Sequence, residues 1–391
     1  MGADVFHVKH PVQIAYVINS LEGGGAALPL PDIAAALAQA GANVRVLALT
    51  LRDGRALEPL RRAGVPVEVR DGGERDHAAA LRWLWRRLAA EPTDAVWTSL
   101  TRATLLGQLA GRAKKLPVVS WQHNAFLKPA NRRLLRATAG LSSLWVADSD
   151  AVARLTAERL GVPDGRLVTW PIFAAGADAR QAQPWRPGEP LRLGSLGRLH
   201  PAKGYDALLA AFASLHADGW APPVPLRLTI AGEGAERDAL AGQAADAGMA
   251  LELPGFTADP AGFLATQHLY LQPSRREGFG IATHQAMAAG LPVLASMTGE
   301  MATTLLDRAT GRLVPVGDVR ALASALRELL SAPDELAAMG TAGRDRVLAL
   351  YGRAAFDARG AAALDRLRAL KGWSAPPGQK PTRSPPSRTR P

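Results

Sequence analysis

The chain is 391 residues long, 48% apolar and 21% charged, a globular composition with length enough for two domains that each bury a core. It has no cysteine, which excludes a disulfide framework and thiolate metal sites and fits a reducing compartment. The formal net charge of +11, from 46 basic and 35 acidic residues, suits anionic partners: nucleotides, phospholipid headgroups or nucleic acid.

No apolar run approaches the ~18 residues of a membrane span, and no signal peptide is visible. The chain is therefore expected in the cytoplasm, meeting a membrane at most peripherally from that side. From the N-terminus, "VQIAYVI" reads as a strand, followed by the loop Gly23-Gly24-Gly25. Pro29 and Pro31 lengthen that loop, and a helix is expected to begin near Pro31, since proline suits a first turn. "NVRVLAL" is the next strand. In the helical stretch "ALRWLWRRLAAEP", the period of 3.6 sets Leu81, Leu84, Trp85 and Leu88 on one face. Trp83 lies on the other face with Arg82, Arg86 and Arg87.

"DAVWTS", "PVVSW" and "SLWVAD" are three further strands. His123 closes the second of them, where a lone His is either structural or turned to a ligand. "NRRLLRATAG" adds Arg132, Arg133 and Arg136 to the basic surface; a solvated helix face is the ordinary reading and contact with anionic lipid the functional one. Asp148-Ser149-Asp150 reads as helix capping, not as a metal-binding D-x-D, because Ser and Asp at a helix start accept from free N–H groups.

The polar, Pro-rich segment Asp178–Pro190 reads as a linker. The alternation then restarts with "LRLGSL", "LRLTIAG", "LELPG", "HLYLQP" and "LPVLAS". Strands alternating with helices imply parallel sheets, hence two doubly wound, Rossmann-like α/β domains with ligands at strand C-terminal ends facing a central cleft. The expected division is 1–180, 181–352, a helix over 353–371 that crosses back to the first domain, and a disordered basic tail over 372–391. Lys380, Arg383, Arg388 and Arg390 of that tail face no acid; discounting those four leaves +7 on the body.

Three loops of the second domain carry candidate chemistry. Arg198 and Lys203 follow a strand in "GSLGRLHPAKGYDALLAAF" and would suit a diphosphate, Arg as a fork and Lys as a point charge. The bland alternative is a solvated basic loop. Gly232-Glu233-Gly234 is a G-x-G without its third glycine, since Arg237 stands there, and reads as a tight turn beside a nucleotide. In "PSRREGFGIATHQAMAAG", Glu277 precedes a helix start whose N–H groups, from Gly278 through Phe279 and Gly280 to Ile281, would receive phosphate or sugar oxygens. Gln285 lies about one turn further on.

Residues Gly194 to Asp318 resemble the nucleotide-sugar half of family-4 glycosyltransferases, which have the GT-B fold. "GRLHPAKGYDALLAAF", "AGEGAERDAL", "LPGFTADPAGFLA", "PSRREGFGIATHQAMAAGLPVLA" and "GRLVPVGD" occur in the family's order and at its spacing. The resemblance implies that Glu277, the first acid of an E-x7-E pair, contacts the donor sugar, and that Arg198 and Lys203 bind its phosphates. Two departures stand out. Gln285 replaces the second acid, which contacts the ribose and would lose about 1–2 kcal/mol of charge assistance. In "SMTGEMATTLL", Glu300 and Thr303 stand where a Gly and a Glu are usual. The first half, from Ile14 to Pro171, is similar more loosely. There the Gly23–Gly25 loop is implied to approach the leaving phosphate and acceptor, and His123 the donor sugar.

The resemblance thus implies transfer of a sugar from a UDP- or GDP-linked donor to a glycan or lipid-linked acceptor in bacterial surface polysaccharide or glycolipid synthesis. Retention, no cofactor and no metal are implied with it. Rival readings are a nucleotide-sugar epimerase or hydrolase on the same fold and a non-catalytic nucleotide-sugar binding protein. Nucleic acid is the least favoured partner, because no recognition motif accompanies the charge.

Overall fold

The computed structural model describes residues 10–124 and 126–373. Expectations for the first nine residues and for the tail cations Lys380, Arg383, Arg388 and Arg390 lie outside the described residues. The chain forms two compact units, Met1–Ala174 with Ala354–Pro391, and Ala175–Arg353.

The first unit holds strands β1 (Val12–Ile18), β2 (Ala42–Ala48), β3 (Val67–Val69), β4 (Ala95–Ser99), β5 (Val118–Gln122), β6 (Leu144–Ala147) and β7 (Leu167–Thr169). They form one parallel sheet in the order β3-β2-β1-β4-β5-β6-β7. Central strands covered by helices on both faces are largely apolar, and β4, β5 and β6 are buried at every position, with Thr98, Ser99, Ser120 and Gln122 as their buried polar residues. The helix after the glycine loop spans Leu30–Gln39, with Pro31 in its first turn.

The chain's last helix, Arg353–Lys371, completes this unit. Phe356 packs on Trp170, centroids 5.3 Å apart, and Gly360 admits the same indole, since a Cβ there would lie 2.7 Å from Trp170 Cζ2. Arg368, 3% exposed, donates to Ala40 O at 2.9 Å and pairs with Asp365.

The second unit holds β8 (Leu191–Leu196), β9 (Leu226–Ala231), β10 (Leu251–Gly255), β11 (Leu269–Gln272), β12 (Val293–Ser296) and β13 (Gly311–Val314), parallel in the order β10-β9-β8-β11-β12-β13. Leu193, Ile230, Leu271, Phe212 and Leu326 are among the residues of its core.

The structure departs from the sequence reading in three places. Strands β3, β7 and β13 were not anticipated; each is an outermost strand of only three or four residues, too short for an apolar run to mark it. The supposed linker packs on the second unit instead: Ala182 N donates to Ala289 O, and Trp185 rests against its core. On the helix His77–Ala90 the buried stripe is Ala80, Leu84 and Leu88 flanked by Leu81 and Trp83, so Trp83 and Trp85 exchange their expected places. Trp85 is 46% exposed, with the Lys114 ammonium 3.9 Å above its ring.

Candidate functional site

In the second sheet the strand order reverses between β8 and β11, which opens a crevice at their C-terminal ends. Lys203 follows β8 and Glu277 follows β11, so both stand at this point. One 3-10 turn, Pro201–Lys203, ends at Gly204, whose φ is +69° and whose missing Cβ would lie 2.2 Å from Pro273 O. The two loops are bolted together by Arg275, whose guanidinium reaches both Asp206 oxygens at 2.6 Å and whose N–H donates to Ala202 O at 2.8 Å. Asp206 is held below the usual carboxylate range by that guanidinium.

The Glu277 carboxylate is oriented atom by atom. Its Oε1 accepts from Lys203 Nζ at 2.6 Å, Ser274 Oγ at 2.8 Å and Gln272 Nε2 at 3.0 Å. Tyr270 O–H donates to Gln272 Oε1 at 2.8 Å, which decides which end of that amide faces the acid. Burial pushes the Tyr270 phenol up, so it remains a donor. Oε2 has no donor among the described residues. The Glu277 side chain is 13% exposed and that of Lys203 20%. Three donors and the closeness of the two loops draw the carboxylate in.

Beyond Glu277, the loop turns its carbonyls inward. Gly278 O accepts from Glu300 N, and Gly280 O from Thr283 N. The amides of Gly278, Gly280 and Ile281 have no protein acceptor among the described residues. Gly280 caps the helix Ile281–Ala288 with φ +84°. Gln285 sits one turn in, half-buried, its side-chain amide without a hydrogen bond among the described residues. Free N–H groups at a helix start, next to an ammonium, make a receptor for phosphate oxygens.

Gly232 and Gly234 adjoin the same crevice, for a reason other than a tight turn. Neither has positive φ; instead a Cβ on them would lie 1.8 Å from Gly197 O and 2.1 Å from Leu199 O. This close approach lets Leu199 N donate to Glu233 O at 2.9 Å. The Glu233 side chain is exposed. Arg198, on the same loop, is exposed and forms no ion pair among the described residues.

The first unit carries its own polar cluster. His123 Nδ1 faces both Asp148 oxygens at 3.1 Å, and Nε2 faces Ser99 Oγ at 2.7 Å, which in turn meets Tyr16 Oη at 2.7 Å. Asp148 only accepts, so Nδ1 carries the proton; Tyr16 must donate, so the row runs Tyr16 to Ser99 to His123 Nε2. Trp121 Nε1 also donates to Asp148. Both His123 nitrogens are thereby engaged within the first unit. Asp148 was expected to cap a helix; Ser149 does so, accepting from Val152 N, whereas Asp148 ends up beside β5 and orients the imidazole. Of the glycine loop, Gly23 N is taken by Asp53 Oδ1 at 3.0 Å, and Gly24 N by Glu22 O.

Asp148, Ser99, Arg275, Gln272 and Tyr270 were not singled out from the sequence for these roles. The sheet brings in the partners of Asp148, Ser99 and Arg275 from 24 or more positions away, whereas Tyr270, Gln272 and Glu277 are neighbours along β11 and its loop.

Residues 23–173 match the family described as Glycosyltransferase Family 4, and residues 178–346 that described as Glycosyl transferases group 1. A GDP-mannose-dependent alpha-(1-6)-phosphatidylinositol monomannoside mannosyltransferase of Mycolicibacterium smegmatis is 30% identical over 290 residues, 66% of this chain and 73% of that protein. A D-inositol 3-phosphate glycosyltransferase of Thermobispora bispora is 35% identical over 175 residues, 42% of this chain and 40% of its own length. The Anabaena HepE structure with UDP-glucose superposes with a TM-score of 0.77 at 21% identity, covering 90% of this chain and 99% of that one, a likeness of fold. Fold and matches together define a nucleotide-sugar-dependent glycosyltransferase with two Rossmann-like domains of the GT-B type. The chain belongs to the family-4, group 1 glycosyltransferases.

Proposed function

We propose that this enzyme transfers a sugar from a UDP- or GDP-linked donor to a lipid-linked acceptor in glycolipid or surface polysaccharide synthesis, with retention and without a metal. The observation that carries this reading is the Lys203–Glu277 pair at 2.6 Å, set beside the free amides of Gly278, Gly280 and Ile281. Lys203, Arg198 and those amides would neutralise the departing diphosphate. Glu277 Oε2 and Gln285 would take sugar and ribose hydroxyls. As the anomeric C–O bond to phosphate breaks and the bond to the acceptor oxygen forms, the acceptor's proton passes to the leaving phosphate oxygen. His123 would border the sugar through its ring edge, held by Asp148, and the Gly23–Gly25 loop would lie towards the acceptor. A relative that acts on phosphatidylinositol monomannoside supports the lipid-linked acceptor class.

Lys203→Ala is expected to cost about 3 kcal/mol at the barrier, a hundredfold in turnover, and to abolish the thermal shift produced by UDP or GDP. Turnover is measured in EDTA. Wild-type rates from the variant would take Lys203 out of the site, and a strict need for added manganese would overturn the metal-free mechanism.

A cytoplasmic enzyme working on such an acceptor would rest against the membrane. Among the described residues no helix is long and apolar enough to cross one. From Ala95 to Ala147 there is no Asp or Glu, against Arg102, Arg112, Lys114, Lys115, Lys128, Arg132, Arg133 and Arg136. Leu109 and Leu134, 48% and 52% exposed, lie among these cations. Replacing Arg132, Arg133 and Arg136 with alanine should weaken flotation with phosphatidylglycerol vesicles roughly a hundredfold, at about 1 kcal/mol for each cation. Undiminished flotation would rule this face out.

A further inference from the structure

Behind the donor loop lies a cluster that the transfer reaction leaves unused. Phe279, 3% exposed, stacks on His284 with centroids 4.0 Å apart and meets Tyr351 edge-on at 5.1 Å. His284 also meets Tyr351 edge-on at 5.1 Å, so the three rings close on one another. A polar chain runs alongside. His284 Nδ1 lies 2.9 Å from Gly280 O and must donate to it; Nε2 lies 2.9 Å from Thr304 Oγ1. Burial lowers the imidazole pKa to about 4, so Nε2 is the acceptor. Tyr351 Oη stands 3.0 Å from Thr304 Oγ1 and donates to Glu300 Oε1 at 2.7 Å, and Glu300 N donates to Gly278 O at 3.1 Å. The carbonyls of Gly278 and Gly280 are fixed from this side, and because a planar trans peptide points the N–H of the following residue the opposite way, the Gly280 carbonyl turns the Ile281 amide outward.

The same tyrosine holds both ends of the second unit. That unit begins at Ala175 and ends at Arg353. Tyr351 O accepts from Ala175 N at 2.7 Å, and Ala175 pairs with Gly352 in an isolated parallel bridge. Tyr351 therefore touches the donor loop through its ring and, through Glu300, its hydroxyl. Its main chain reaches the place where the polypeptide enters and leaves the unit.

We propose that Tyr351 is a positioning residue that couples the Gly278–Ile281 amides to the backbone at Ala175 and Gly352, so that diphosphate held by the loop tightens that bridged pair, and the pair in turn sets the loop. This rests on the donor reading of that loop, and the effect must be mutual.

The test is amide hydrogen exchange on the full chain with UDP and with GDP as probes. In the wild type, either nucleotide should slow exchange at residues 278–282 and also at Ala175 and Gly352. Tyr351→Phe keeps the ring and removes the hydroxyl; it should retain the loop protection, lose at least tenfold of the protection at Ala175 and Gly352, and raise the nucleotide Kd three- to tenfold. Glu300→Ala, which removes the acceptor of that hydroxyl, should repeat the pattern. Full protection at Ala175 and Gly352 in both variants overturns the coupling. Should neither nucleotide bind the wild type, the donor reading fails by itself. The coupling is then judged without ligand: faster exchange of residues 278–282 in Tyr351→Phe supports it, and unchanged exchange ends it.

Discussion

Glu277→Ala should reduce transfer about a thousandfold, roughly 4 kcal/mol at the barrier, with Glu277→Gln losing nearly as much. The two substitutions part in stability. Alanine leaves the Lys203 ammonium, 20% exposed, without its carboxylate and strips Ser274 and Gln272 of an acceptor, which should cost about 1–3 kcal/mol of unfolding free energy. Glutamine keeps an oxygen for these donors and should lie near the wild type. Initial rates and urea denaturation of both variants check this. Turnover within tenfold of wild type in Glu277→Ala would remove the acid from the chemistry. Equal stability of the two variants would mean that the three donors contribute nothing to the fold.

The second large effect is expected at Gly204. A side chain there must adopt φ +69° and would lie 2.2 Å from Pro273 O, a main-chain atom that cannot swing aside. Gly204→Ala should destabilise by about 3 kcal/mol or more, of which the left-handed backbone accounts for only about 1–2. Gly219→Ala is the matched comparison: φ is +72° and nothing lies within 4 Å of its Cβ, so it should show the backbone cost alone. Because Gly204 adjoins Lys203, its alanine variant should also lose the thermal response to UDP or GDP. Similar urea midpoints for the two variants would show that the β8 and β11 loops are not locked together.

Much of the second unit's candidate site could be read from the sequence, because Lys203 and Glu277 follow strands whose apolar runs are unmistakable. Once "LRLGSL" and "HLYLQP" are strands of one parallel sheet, Lys203 and Glu277 fall at their C-terminal ends. Partners across the sheet were hidden: Asp206 and Arg275 are 69 positions apart, and nothing local to either announces the fork. Asp148 misled because a helix start gives its acid a local use, whereas tertiary packing gave it to His123. The helical period placed a stripe on His77–Ala90 but missed its phase by about one residue, enough to exchange two tryptophans. Strands β3, β7 and β13 escaped because an outermost strand of three or four residues needs no strong pattern.

The first unit is assembled from two stretches of chain that are far apart in synthesis. Its sheet is complete at Thr169, yet Phe356, Gly360 and Arg368, which cover Trp170 and tie down Ala40, lie some two hundred residues later. At about 5–20 residues per second, the ribosome takes on the order of 10–40 s to deliver them. During that interval the emerged sheet waits with a bare indole while most of the second unit is being made. A nascent chain stalled or cleaved before Phe356 would thus present that uncovered surface to chaperones and proteases.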